Sequence, residues 1–81
     1  MTTATPYLSP VLHDIHVSVV SAEEASLGVA EFWSGDRLIA FTLIEDGDLT
    51  LRIGPSADGV VLGAHALAEA LAEANRLLAL H

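Results

Sequence analysis

Between Glu31 and Ile53 the chain alternates short apolar runs with turn residues. EFWS, RLIAFTLI and LTLRI are separated by Ser34-Gly35-Asp36-Arg37 and Glu45-Asp46-Gly47-Asp48. Short β-branched, aromatic and aliphatic runs joined by Gly–Asp turns predict a three-stranded antiparallel meander. Upstream, Val11 to Val20 places Val11, Ile15, Val17 and Val19 on one parity, the pattern of a half-buried strand. Ser21 to Ala25 reads as a connection, and the strands that follow are expected at Leu27–Ser34, Arg37–Ile44 and Leu49–Ile53. Gly54 to Gly59 is a loop rich in chain-breaking residues. Val60-Val61-Leu62 is either a short fifth strand or the lead-in to a helix.

From Ala64 to Leu80 the period changes. Ala, Leu and Glu dominate, without Gly or Pro, and predict an α-helix. Leu67, Leu71, Ala74 and Leu78 form one stripe, flanked by Ala66, Ala70 and Leu77. His65, Glu69, Glu73 and Arg76 fall on the other side, with Glu73 and Arg76 spaced to pair. The apolar arc is broader than packing on one sheet requires.

Turn chemistry sets the register, and the register decides which residues share a face. A two-residue Gly35-Asp36 loop places Trp33 opposite Leu38 and Phe32 opposite Ile39. The second turn has two solutions. A three-residue Glu45-Asp46-Gly47 loop sets Phe41 against Leu51 and Leu43 against Leu49, whereas a two-residue Asp46-Gly47 loop sets Phe41 against Arg52. The three-residue loop is favoured because it sorts Ala30, Phe32, Ile39, Phe41, Leu43, Leu49, Leu51 and Ile53 onto one core face. The opposite face then carries Val29, Glu31, Trp33, Leu38 and Arg52, with a Glu31–Arg52 ion pair across the third strand. An apolar patch centred on the single Trp33 is the expected partner-binding surface, unless the first strand and the N-terminal tail fold over it.

Composition narrows the function classes. At 81 residues the chain is one small domain with little stability to spare, and it has no cysteine to brace it. Eleven acids against three arginines give a net charge of −8. Such a chain is repelled by phosphate backbones and anionic lipid surfaces, so nucleic acid and membrane are not expected partners. A basic protein remains one, although charge alone also serves solubility. Residues 1–10 lack the features of a signal peptide and are expected to form a flexible tail. A cytoplasmic location is the default expectation, and the Ala/Leu-rich, lysine-free composition suggests a bacterial origin.

The chemistry-bearing residues do not assemble into a motif. On a regular strand His13 and His16 point to opposite faces, and no third ligand is spaced to join them, so no metal is expected. Glu45, Asp46 and Asp48 suit a hairpin turn better than a calcium loop. No serine sits in a nucleophile context and no phosphate loop is present, so no catalytic residue and no cofactor is expected.

The expectation is therefore an α+β domain over residues 11–81, a four-stranded antiparallel meander, with or without a fifth strand, and one C-terminal helix on one face. The expected function is a small acidic, non-catalytic protein-binding module. It self-associates as a homodimer, and in a specific form acts as an inhibitor or immunity-type protein for a basic partner. The alternative is a ligand-binding or enzymatic site between subunits, using Trp33, Glu31, Arg52 and His16.

Overall fold

The computed structural model describes residues 11–57 and 59–81, so the tail expected over residues 1–10 lies outside the described residues. The architecture is α+β. A four-stranded antiparallel sheet runs in the order β2 (His16–Ser18), β3 (Glu31–Ser34), β4 (Arg37–Glu45), β5 (Asp48–Ile53). The C-terminal helix α2 (Ala64–Ala79) packs over β2. The short strand β1 (Val11–Leu12) pairs in parallel with β6 (Val61–Leu62) as a separate small sheet.

The N-terminal strand is thus broken where one continuous strand was expected. His13 to Ile15 is irregular, and the interruption switches the inward parity. Leu12 packs against the core from β1, whereas Ile15 and Val17 do so further on.

Ser21 to Ala25 is more than a connection. Ala22–Ser26 is a one-turn helix, α1. The Ser21 hydroxyl accepts the Glu24 N–H at 3.1 Å, the bond that caps a helix N-terminus. At its other end Gly28 takes φ +75°. Its N–H donates to the Ala25 carbonyl at 3.0 Å and the Val29 N–H to the Glu24 carbonyl at 2.8 Å. This is a Schellman ending, which needs a left-handed residue. It uses up Leu27 to Ala30, so β3 starts at Glu31 rather than Leu27.

Both hairpins have two-residue loops. At the first, Ser34 faces Arg37 and Trp33 faces Leu38, as the Gly-first turn predicts. At the second, Glu45 faces Asp48, with φ +53° at Asp46 and +83° at Gly47. Positive φ at both central residues is the twist-matched hairpin turn. The favoured three-residue loop is therefore overturned: Phe41 faces Arg52 and Leu43 faces Thr50.

A β-bulge rescues the core from this change. Phe32 faces Ala40 while Trp33 faces Leu38, which leaves Ile39 as an extra residue in β4. The bulge inverts the parity of the rest of β4. Ala40 and Thr42, expected on the outer face, turn inward and are buried, and Ile44 follows their parity. Phe41 and Leu43 move out to the Trp33 side. Leu49, Leu51 and Ile53 stay on the Phe32 side, since they pair with Ile44, Thr42 and Ala40.

The core comprises Val17, Phe32, Ile39 and Ala40 from the sheet, Ala30 just before β3, Ala57 from the 3₁₀ turn Pro55–Ala57, and Ala70 and Ala74 from α2. Full burial of Phe32 and Ile39 contributes roughly 1.5–3 kcal/mol each. The helix stripe falls as its period predicts, with Leu67, Leu71 and Leu78 packed around the buried Ala74.

Candidate functional site

The outer face of the sheet is built on Trp33. Its neighbours across the strands are His16 and Leu38. The Trp33 Nε1–H donates to Glu31 Oε1 at 3.1 Å. The next row is Ser18, Glu31, Phe41, Arg52. The Glu31–Arg52 pair expected across β4 does not form, because Phe41 stands between the two positions and each finds a nearer partner. Arg52 reaches along its own face to Glu45, with Nε donating to Oε1 at 3.2 Å and a second contact from its terminal nitrogen to Oε2. The Thr50 hydroxyl lies 2.8 Å from the same Oε1 and 2.9 Å from the Leu43 carbonyl. The Arg52 guanidinium, helped by Thr50, holds the Glu45 carboxyl below its usual range, and Glu45 raises Arg52 in return. Val29 lies before β3, half-buried. The structure therefore brings Trp33, Leu38 and Glu31 together, places Arg52 one strand further out, and leaves Val29 outside the sheet ladder.

The largest exposed apolar side chains in the sheet lie on the opposite, Phe32 side. Ile44 and Ile53 are 50% and 56% exposed and Leu49 is 39% exposed. Leu27, 59% exposed, precedes Gly28, and Gly28 itself lies against Ile44 and Leu49. α2 makes its main sheet contacts with β2, at the opposite end of the sheet from this patch. Beside it lies the outer edge of β5, which pairs with no strand among the described residues.

A third feature is a cleft of about 420 Å³ between the His13–Val17 segment and α2. His13, Asp14 and His16 line one wall, Glu69 and Glu73 the other. The continuous segment from His13 to Val17 forms this wall, while the His16 position itself shares the outer face with Trp33. His13 is held close by the backbone: a Cβ on Gly63 would lie 2.9 Å from its Nδ1. Glu73 is committed to Arg76, whose Nε donates at 2.9 Å and whose guanidinium lowers the Glu73 carboxyl. Glu69 lies 3.4 Å from His65. Among the described residues no three His, Cys, Asp or Glu side chains are grouped to hold a metal ion.

Compared with protein-family models, curated proteins and solved structures, the chain matches none. No helix of the described residues is long and apolar enough to cross a membrane. The exposed β5 flank and the histidine cleft were both missed by sequence reasoning. Asp46-Gly47 carried the signal for the first, because this dipeptide favours the two-residue turn. Nothing in the linear pattern signals the second, which depends on where β1 breaks.

Proposed function

We propose that this protein is a small acidic, non-catalytic protein-binding module that self-associates, and that its acidic surface engages a basic protein in the manner of an inhibitor or immunity protein. The observation that carries this reading is the apolar patch of Ile44, Leu49, Ile53 and Leu27 beside the acidic turn Glu45-Asp46-Gly47-Asp48. A contiguous exposed apolar cluster rimmed by charge is the usual form of a protein–protein surface. Charge supports it further. Of the three arginines, Arg52 and Arg76 are held by carboxylates of the same chain, which leaves Arg37 against the other nine acids. The Trp33 face, with Leu38, Glu31, Arg52 and Val29, is the second surface available to such a partner.

The test is the concentration dependence of mass in solution, joined to capture from the native host with a salt series. Self-association together with a basic, salt-sensitive partner supports the reading. A strict monomer that recovers only itself rejects it.

A small-ligand or enzymatic function is the second reading, favoured by the cleft that His13, His16, Glu69 and Glu73 line. A wall that carries Glu69 and Glu73 opposite Asp14 suits a cationic ligand. A metabolite panel that leaves the melting temperature unmoved counts against it.

A further inference from the structure

We infer that two copies of this chain join by antiparallel pairing of β5 with β5 about a two-fold axis through Thr50, making one continuous sheet. The inference rests on the self-association proposed above and specifies its geometry.

The first support is the edge itself. β5 is six residues long and carries neither Pro nor Lys, and the register shift in this sheet lies away from it, between β3 and β4, where Ile39 is left without a β3 partner. Proteins that keep an edge strand solitary shorten it, bend it or charge it inward. The opposite edge follows that rule, since β2 has three residues between irregular segments.

The second support is backbone parity. Glu45 and Asp48 flank a two-residue turn, so they form a hydrogen-bonded pair. Asp48, Thr50 and Arg52 therefore direct their backbone groups toward β4, while Leu49, Leu51 and Ile53 direct theirs outward. With the dyad at Thr50, Leu49 meets the partner's Leu51 and exchanges both backbone bonds with it. The symmetric pair does the same.

Charge complementarity selects this register. Asp48 comes opposite the partner's Arg52 at non-hydrogen-bonded positions, where cross-strand side chains are closest. Within one chain Asp48 faces Glu45, two carboxylates directly across the hairpin. Like charges so placed are destabilising; Arg52 of the same chain already offsets Glu45, and the partner's Arg52, held by its own Glu45, would bring a shared guanidinium alongside Asp48. Shifting the dyad to Leu51 would set Arg52 against Thr50 and lose both ion pairs. Directly opposed residues share a face, so Leu49 and Leu51 of the two copies merge the apolar patches on the Phe32 side.

The native chain has no cysteine, which makes the register directly readable. Under mild oxidation Thr50→Cys should form a covalent dimer, because a non-hydrogen-bonded pair on the dyad has a Cα separation of roughly 4.5 Å, within disulfide reach. Leu51→Cys should not. Leu49→Lys should weaken the dimer by roughly tenfold or more, as an inward-facing charge on an edge does. Asp48→Arg should weaken it as well, and Asp48→Arg with Arg52→Asp should restore it. Circular dichroism verifies that each variant is folded.

Crosslinking through Leu51→Cys in place of Thr50→Cys overturns the register. A wild-type dimer that survives Leu49→Lys, resists crosslinking at Thr50→Cys and dissociates with Trp33→Ala or Leu38→Asp overturns edge pairing while leaving self-association standing. A wild-type chain that stays monomeric at every concentration overturns both.

Discussion

The Thr42 hydroxyl donates to the Gly28 carbonyl at 2.7 Å and accepts the Ala30 N–H at 2.9 Å. This one buried side chain closes the gap left where the helix ending displaces the start of β3. Thr42 is 1% exposed, the one fully buried polar residue described. Its backbone N–H also donates to the Ala30 carbonyl at 2.9 Å. Replacing Thr42 with Val keeps the shape and removes both hydroxyl bonds. The expected cost is about 1–3 kcal/mol, because two buried backbone groups lose their partner. Thr42→Ser should recover most of it. Urea denaturation of the three proteins decides, and equal midpoints for Val and wild type would reject the role.

Gly28 is constrained twice. Its φ of +75° lies in the left-handed region, and a Cβ built there would sit 2.4 Å from Ile44 Cγ1. Gly28→Ala should therefore destabilise by about 2–4 kcal/mol, adding a left-handed backbone penalty to side-chain overpacking. Adding Ile44→Ala should return the steric part and leave the backbone part. If the double variant is no better than Gly28→Ala alone in thermal melts, the clash is not the operative term.

The Ser21 cap separates what was legible from what was read. Ser21-Ala22-Glu23-Glu24 has the Ser-x-x-Glu spacing of a helix start, and the Glu23-Glu24 pair suits a first turn. Five residues sufficed for a helix because Gly28 stood ready to end it. Ser21→Ala should cost about 1 kcal/mol, the usual value of a lost N-cap, and Ser21→Asp should be close to neutral. Guanidinium unfolding measures both, and a neutral Ser21→Ala would mean that β3 rather than the cap holds α1 in place.

Much of the fold follows from periodicity. The helix stripe of Leu67, Leu71, Ala74 and Leu78 and the Trp33–Leu38 register are local consequences of spacing and of one Gly-first turn. The face assignment of β4 is not local. Ile39 is an extra residue only toward β3; toward β5 its carbonyl still accepts from Gly54 at 2.9 Å, a residue fifteen positions away that follows β5. Nothing in the Arg37–Glu45 run marks the bulge. The same non-locality hid the patch: Ile44 faces inward by parity and is still 50% exposed, while the main sheet contacts of α2 are with β2.

The two arginine–carboxylate pairs give the chain an acid-sensitive component of stability. Arg52 lowers Glu45 and Arg76 lowers Glu73 from an ordinary value of 4.5. A carboxyl whose folded pKa lies below its unfolded pKa stabilises the native state fully above the unfolded value and loses that contribution as pH falls through the folded value. The loss should therefore begin near the ordinary carboxylate value of 4.5 and continue below it. Both pairs are solvent-exposed, so each effect is small and screened by salt. Arg52→Gln and Arg76→Gln should each flatten the acid limb of a urea-midpoint titration at low ionic strength. The Arg52 variant should show the larger change, because Glu45 also loses the guanidinium that orders it beside Thr50. Acid limbs parallel to wild type in both variants would mean that the pairs form no preferential contact in the folded state.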